Sequence, residues 1–174
     1  MGKLLYDGFH KIEEVDAIVN SKKVKRERLL LKSGVGGLVT DEKNRIALVV
    51  QYRPTIGQMT REIPAGVLDK EGLTAKQTLI EELEEECQIP MNEILFIGGV
   101  PFQEYYMVAG SSDAKMSIYE VQVKEQGHKV IEDKDVESVE WVNLETFGQY
   151  VNDGSIVDGK TIISYYYLRS KLNK

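Results

Sequence analysis

Five glutamates crowd into two turns of a predicted helix, and their types and spacing suit the binding of a metal ion. They are Glu81, Glu82, Glu84, Glu85 and Glu86. Four of their pairs lie three or four residues apart, where like charges cost about 0.2–0.5 kcal/mol per pair, and the helix dipole disfavours negative charge at this end. Acidic helix surfaces are common, but a bound cation explains the cluster better. Glu82, Glu85 and Glu86 share one face and offer the hard oxygen ligands that Mg²⁺ or Mn²⁺ prefers.

The helix that carries these carboxylates has recognisable ends in the sequence. Thr74 is a suitable N-cap, and Gln77 three residues later completes a capping box. Leu79 and Leu83 are four residues apart and mark the face that packs on a core. Pro90 is expected to end the helix. The sequence therefore predicts a helix that packs on a core through one apolar face and carries a cluster of carboxylates in its last two turns.

The composition describes an ordinary globular protein of 174 residues with a net charge of −6. This length predicts one domain with room for a small N-terminal appendage. The negative charge argues against nonspecific binding of nucleic acid, so an anionic substrate requires a metal ion or local arginines. A single cysteine, Cys87, fits a reducing compartment. No signal peptide or membrane span is evident, so we expect a cytoplasmic protein without a membrane partner.

The first 32 residues predict a small β-ribbon. Its strands are expected at Leu4–His10, Ile12–Val19 and Val24–Leu31, with a turn at Ser21, Lys22 and Lys23. A ribbon of this size cannot bury an apolar face alone, so it must pack on the main domain or on a second subunit. The sequence pattern leaves both arrangements open.

The rest of the chain predicts strands on either side of the acidic helix and two helices at the end. Arg53 directly follows an apolar strand, where a positive charge can meet an anionic ligand. The order of elements favours an α+β fold with a mixed sheet between helices. The expected strands are Val35–Thr40, Arg45–Tyr52, Ile94–Val100, Met116–Val123 and Val139–Val142, with a loop at Pro101–Ser112, an acidic turn at Asp133–Glu137 and helices at Leu144–Asn152 and Thr161–Lys171.

The stretch Glu62–Ile89 resembles the Nudix box, G-x5-E-x7-R-E-U-x-E-E-x-G-U, in which U is aliphatic. The second half of the box falls on Glu82, Leu83, Glu85, Glu86 and Ile89. QYRP at 51–54, EIPAG at 62–66 and NDGSIVDGKT at 152–161 are similar to the ADP-ribose and nucleoside-diphosphate-sugar pyrophosphatase branch. The resemblance covers nearly the whole chain. It implies an α/β/α sandwich, with a ribbon (1–32) that helps to build a homodimer and a hydrolase domain (33–174).

Several positions depart from the box. Its arginine is Glu81 here, its late glycine is Gln88, and its upstream glutamate falls on Leu73. Gly66 fits the first glycine only if the loop carries one extra residue. A longer loop of this kind is similar to that of UDP-sugar diphosphatases, whose box also lacks the arginine.

The lost arginine would have paired with the carboxylates and held their rotamers. Its replacement by Glu81 leaves three consequences open: a higher metal affinity, a looser site, or the need for another cation such as Lys115 or Arg61. The glutamate that the branch carries on a later loop is replaced by Ala114, flanked by Asp113. The general base is therefore open among Glu85, Glu104, Asp113 and Glu120.

The resemblance implies Mg²⁺-dependent hydrolysis of a nucleoside diphosphate sugar, with ADP-ribose giving AMP and ribose 5-phosphate. The metal, Mg²⁺ or Mn²⁺, is expected on Glu82, Glu85, Glu86 and the carbonyl of Ala65. The expected substrate contacts are Arg53, Arg61, Glu62, Tyr105, Tyr106 and Asp113. Two alternatives stay open. One is another substrate, such as UDP-glucose, FAD or a coenzyme diphosphate; the other is a nucleotide-sugar sensor that has lost turnover.

Overall fold

A computed structural model describes residues 2–127, 133 and 135–172 of the chain. The strands are β1 (Lys3–Asp7), β2 (Lys11–Val19), β3 (Lys22–Leu30), β4 (Gly34–Asp41), β5 (Ile46–Arg53), β6 (Gln58–Glu62), β7 (Ala65–Val67), β8 (Ile94–Ile97), β9 (Gln103–Tyr106), β10 (Lys115–Val123) and β11 (Val136–Val142). The α-helices are α1 (Ala75–Cys87), α2 (Leu144–Asn152) and α3 (Gly159–Leu172), and a 3-10 turn covers Met91–Glu93. In this described part, no helix is both long and apolar enough to cross a membrane.

The main sheet is mixed and is centred on apolar strands. Its order is β11-β5-β4-β10-β8, with β4 and β10 parallel and the other neighbours antiparallel. The strands β4 and β5 are buried along most of their length, as expected for strands covered on both faces. The predicted mixed sheet is therefore confirmed.

Helices cover both faces of this sheet, so the predicted α/β/α sandwich is also confirmed. On one face, Leu79 and Leu83 of α1 pack with Val35, Val49 and Val121 of the sheet. On the other face, residues of α2 and α3 such as Phe147 and Tyr165 pack against Leu48 and Ile118. Each face buries its own apolar cluster, which supplies the main driving force for folding.

A gap between β4 and β5 creates the place where a site can form. The two strands pair at Thr40 and Ile46, beyond which β5 pairs with β6 and β4 pairs with β7. Residues 63–64 join β6 to β7 across the gap, and the carbonyl of Pro64 accepts a hydrogen bond from the Gly37 N–H at 2.9 Å. The end of β6 and the start of β7 are therefore held at the centre of the sheet.

The N-terminal strands form a separate antiparallel sheet in the order β1-β2-β3, as predicted. The turn between β2 and β3 lies one residue earlier than expected, at Asn20 and Ser21. Their φ angles of 49° and 62° suit the tight turn that a twisted hairpin favours. This sheet joins the main domain through the Leu29 N–H, which donates to the Ser111 carbonyl at 2.7 Å. The division of the chain at residues 32 and 33 stays a prediction.

The remaining differences from the predicted elements lie in short strands and in the ends of other elements. The predicted loop at 101–112 contains β9, and β6 was not predicted as a separate strand. The strand predicted at Val139–Val142 begins earlier, at Val136. The helix at Leu144–Asn152 has the predicted bounds, and the last helix extends beyond its predicted range at both ends.

Candidate active site

The acidic helix is fixed at both ends by its own backbone chemistry. Thr74 and Gln77 form the predicted capping box. The helix ends at Cys87, earlier than Pro90 required, because Gln88 adopts a left-handed conformation with φ 54° and ψ 37°. Gln88 occupies the place of the glycine in the box motif, and glycine is the residue that adopts this conformation most easily.

Two carboxylates of α1 face the short strand β7. The backbone N–H of Ala65 donates to the Glu86 Oε2 at 3.0 Å. The side chain of Glu82 lies so close to Gly66 that a β-carbon at position 66 would collide with it. A side chain at position 66 would therefore have to displace the Glu82 carboxylate from this place, and the glycine agrees with a box whose loop is one residue longer.

Glu82 and Glu86 are short of compensating charge. Burial, above all, raises the pKa of Glu86 to about 8; the hydrogen bond from Ala65 opposes this shift and the charge of Glu82 adds to it. Burial followed by the charge of Glu85 raises the pKa of Glu82. The charge of Asp133, in the loop before β11, contributes to both upward shifts.

The donor chemistry at this end of α1 fits a hard divalent cation. Two half-buried carboxylates repel each other beside a strand whose backbone is within reach, and a cation would relieve this repulsion. Glu85 is exposed, with the Lys70 ammonium 3.9 Å from its carboxylate. Within residues 2–127, 133 and 135–172, no three carboxylate, imidazole or thiol groups form a ready-made cation site.

A second carboxylate, Glu62 at the end of β6, has several partners. The Arg53 guanidinium donates to both of its oxygens at 2.7 and 2.6 Å, the Lys160 ammonium donates at 2.5 Å, and the Thr60 hydroxyl donates at 2.7 Å. Burial by itself raises the pKa of Glu62, but these donors outweigh it and lower the pKa to about 2. Lys160 is only 6% exposed and also pairs with Asp158 at 3.1 Å.

The Arg53, Glu62 and Lys160 group lines an open cleft of about 550 Å³. Tyr105 forms part of the wall, and burial, followed by the charge of Asp158, raises the pKa of its phenol to about 12. The charges of Arg53 and Lys160 are felt by Glu86, so the acidic end of α1 adjoins this cleft. An acidic side and a cationic side therefore meet at the gap between β4 and β5.

Three of the residues predicted to contact the substrate interact with other side chains outside this cleft. Arg61 donates to Glu140 at 2.9 and 3.0 Å. Asp113 accepts from Arg28 of the ribbon at 2.9 Å. Tyr106 is half-exposed, with the Lys115 ammonium 5.3 Å from its ring centre. Arg53, Glu62 and Tyr105 come together in the cleft, whereas these three do not join them there.

Sequence reasoning did not single out Lys160, Asp158 or Asp133. Lys160 and Asp158 lie in the NDGSIVDGKT stretch, which is similar to the pyrophosphatase branch, so the signal was present without a residue assignment. Asp133 accepts hydrogen bonds from the N–H groups of Asp135 and Val136 at 2.8 and 3.0 Å. The acidic turn predicted here contains it, and residue 134 of that turn lies outside the described residues.

One family model and two known proteins match most of the chain. The family model described as "NUDIX domain" matches residues 30–163. The chain is 30% identical over 163 residues to the ADP-ribose pyrophosphatase of Bacillus subtilis (strain 168), covering 92% of this chain and 84% of that protein. It is 28% identical over 161 residues to the methanol dehydrogenase activator of Bacillus methanolicus, covering 91% of this chain and 83% of that protein.

Proposed function

Because the chain belongs to the NUDIX domain family, we propose that it hydrolyses the diphosphate bond of a nucleoside diphosphate sugar, with ADP-ribose as the substrate. The observation that best supports this proposal is that carboxylates and cationic side chains lie next to each other at one gap in the sheet. The uncompensated carboxylates Glu82 and Glu86 suit a metal ion, and the neighbouring Arg53 and Lys160 suit phosphate oxygens. The name of the relative at 30% identity supports ADP-ribose among the possible substrates.

We assign the metal to Glu82, Glu85 and Glu86, with help from the Ala65 carbonyl. Mg²⁺ is the proposed ion, and Mn²⁺ is the alternative. When bound, such an ion supplies positive charge that stabilises the phosphate oxygens and lowers the pKa of water. The Ala65 N–H orients Glu86 for this role, and Gly66 leaves room for Glu82.

The reaction consumes one water molecule. Its oxygen attacks one phosphorus, the bond from that phosphorus to the bridging oxygen breaks, and AMP and ribose 5-phosphate leave. Arg53 brings positive charge to the cleft where the diphosphate would lie, and Glu62 anchors its guanidinium. Arg61, Tyr106 and Asp113 would reach a substrate only if their present partners released them.

A carboxylate must take the proton from the attacking water. Of the candidates from the sequence, Glu104 pairs with Lys115, Asp113 with Arg28, and Glu120 with Lys171. Glu85 is itself one of the proposed metal ligands, so it can be the base only if Mn²⁺ still binds without it. Asp133 joins it as a candidate because its charge reaches both Glu82 and Glu86. Comparison of Glu85→Gln with Asp133→Asn identifies the base, which is the variant that loses kcat while it still binds Mn²⁺.

The test of the function is a substrate screen joined to a double variant. Purified protein is incubated with ADP-ribose, UDP-glucose, ADP-glucose or FAD and either Mg²⁺ or Mn²⁺, and the monophosphate products are measured. We expect ADP-ribose to be cleaved and Glu82→Gln/Glu86→Gln to lose this activity. Glu84→Gln on the exposed side of α1 is the matched control. Unchanged turnover in the double variant would contradict the metal assignment. A preference for UDP-glucose would show that ADP-ribose is not the main substrate.

A regulatory role is the second candidate, since the relative at 28% identity is named an activator of methanol dehydrogenase. In that case the chain would bind a nucleotide sugar without turnover. Calorimetric binding of ADP-ribose with no monophosphate product would favour this role over the enzyme. The cytoplasmic location stays a prediction.

We also propose a homodimer formed through the N-terminal ribbon. The ribbon leaves apolar side chains in solvent, including Phe9 in the bend between β1 and β2 at 97% and Ile18 of β2 at 75% exposure, and a second copy would cover them. Light scattering should give a dimer for the parent and a monomer for Phe9→Ser/Ile18→Ser. Val100→Ser, at another exposed apolar residue, is the control. A monomeric parent contradicts the proposal.

A further inference from the structure

A lysine from a loop contacts the acidic end of α1. The ammonium of Lys70 lies 2.6 Å from a carboxylate oxygen of Glu81 and 3.9 Å from one of Glu85. Glu81 and Glu85 are four residues apart and therefore neighbours on the helix surface. One cation from outside the helix thus serves two of its like-charged side chains.

The geometry of the loop directs the Lys70 side chain toward α1. Residues 68–74 connect β7 to α1, and the Leu73 N–H donates to the Lys70 carbonyl at 3.4 Å. Gly72 has φ +82° within this turn, a value that glycine adopts without strain. The chain therefore reverses directly after Lys70, and the lysine side chain can turn back onto α1.

The loop is attached to α1 on both sides of Glu82. Just before the loop, the Ala65 N–H donates to Glu86, and Gly66 lies against Glu82. Further along the chain, Lys70 pairs with Glu81. Glu82 therefore lies between two attachments of the same short segment, and Glu86 is itself one of the attachment points.

We propose that Lys70 is a positioning residue, whose ion pair with Glu81 holds the loop against α1 and thereby fixes Glu82 and Glu86 for metal binding. The pair reverses the polarity of the box motif, since the cation lies on the loop and the anion on the helix. The two replacement cations considered from the sequence are engaged elsewhere: Lys115 pairs with Glu104 and Arg61 with Glu140. This inference rests on the proposed metal site.

Exchanging the charges of Lys70 and Glu81 distinguishes positioning of the metal ligands from a general effect of charge near the site. Lys70→Glu, Glu81→Arg and the double variant Lys70→Glu/Glu81→Arg are titrated with Mn²⁺, and free Mn²⁺ is measured by electron paramagnetic resonance. If the pair positions the ligands, both single variants bind Mn²⁺ about threefold to fivefold more weakly, as expected for an exposed ion pair. The double variant restores the pair with opposite polarity and returns to within about twofold of the parent.

The sign pattern decides the result. If only charge matters, Lys70→Glu binds Mn²⁺ more tightly and Glu81→Arg more weakly, and this outcome overturns the proposal. Single variants that match the parent, or a double variant no better than the weaker single variant, overturn it as well. Lys43→Glu is the control, because Lys43 forms an exposed pair with Glu125 at the other end of β5 from Arg53.

Activity then tells this proposal apart from the proposed function. If the parent binds Mn²⁺ but cleaves none of the screened substrates, the function fails while the charge-exchange pattern still tests Lys70. If the parent is active, kcat should follow the Mn²⁺ pattern across the three variants and KM for the substrate should change less than kcat. A change confined to KM would contradict positioning of the metal ligands.

Discussion

Glu62 and Glu86 are acidic side chains on two sides of the same gap in the sheet, and their pKa values move in opposite directions. Glu62 is buried and has the hydroxyl of Thr60, the guanidinium of Arg53 and the ammonium of Lys160 as donors. Glu86 accepts one backbone N–H and has Glu82 as a repelling neighbour. The pKa falls to about 2 in the first case and rises to about 8 in the second.

The difference shows that burial alone does not determine what a carboxylate does. Burial disfavours the charge at both positions, and the donors decide the outcome. Glu62 is a fully satisfied anchor that fixes Arg53 and Lys160. Glu86 accepts only the Ala65 N–H in a direct hydrogen bond, and the charge of Lys160 offsets its burial only in part. The same residue type is therefore a structural anchor on one side of the cleft and the proposed metal ligand on the other.

Glu62→Gln should have the largest effect on stability. The variant leaves the buried ammonium of Lys160 and the Arg53 guanidinium without their shared carboxylate, so the free energy of unfolding should fall by about 3 kcal/mol. Urea unfolding at neutral pH measures the loss. Glu140→Gln, which breaks the half-exposed pair with Arg61, is the control and should cost at most about 1 kcal/mol. Equal losses would mean that Glu62 is no special anchor.

Glu86→Gln should have the opposite sign in metal-free protein at high pH. The pKa of Glu86 is 4.5 ordinarily and about 8 in the folded chain, so the folded state holds the extra proton between these values. The contribution of protonated Glu86 to stability is fully present below pH 4.5, the ordinary pKa, and is lost as the pH rises through about 8, the pKa in the folded chain. The glutamine side chain of the variant does not titrate, so the variant should gain on the order of a few kcal/mol over the parent between pH 5 and pH 9, most of it below pH 8.

Urea unfolding with a chelator present, at pH 5, 7 and 9, gives this difference directly. Glu84→Gln, at an exposed glutamate of the same helix, should show no comparable trend. A Glu86→Gln variant that is less stable than the parent at pH 9 would contradict the contrast with Glu62. The two glutamates would then both act as structural anchors.

Metal binding should release a proton from Glu86, whereas Glu62, with its lowered pKa, has none to release at neutral pH. At pH 7, a carboxyl with a pKa of about 8 is mostly protonated, so an incoming ion must displace close to one proton. Calorimetric titration with Mn²⁺ in two buffers of different ionisation enthalpy counts the protons. Glu86→Gln should abolish the release. Release of no protons by the parent would mean that the ion does not bind at this carboxylate.

The same contrast explains what the sequence could predict. The helix cap at Thr74, the Glu82 and Glu86 pattern and the family resemblance are local features, and the family and the fold are confirmed. The Glu62 anchor depends on Lys160, which lies 98 residues away along the chain. Only the crossing of residues 63–64 and the start of α3 bring the two together, and no local pattern contains that information.

Short edge strands were missed for a related reason. β9 and β6 gain their hydrogen bonds from β10 and β5, so tertiary pairing rather than a strong local pattern fixes them. The cation near α1 could not be chosen from sequence either. Lys70 reaches Glu81 only because the loop turns back onto the helix, and no local pattern contains that contact.

Gln88 offers the smallest change and tests whether the charge of Glu86 can be separated from the helix that carries it. Gln88 holds a left-handed conformation with φ 54°, which costs an ordinary residue roughly 1 kcal/mol relative to glycine. Gln88→Gly should therefore be about 1 kcal/mol more stable than Gln88→Ala, because both variants lose the same side-chain contacts and only glycine relieves the backbone. Urea unfolding compares them, and neither variant should alter the pH trend that Glu86 produces. If glycine gives no advantage over alanine, the left-handed end of α1 is not strained, and the glycine of the box motif serves some other purpose here.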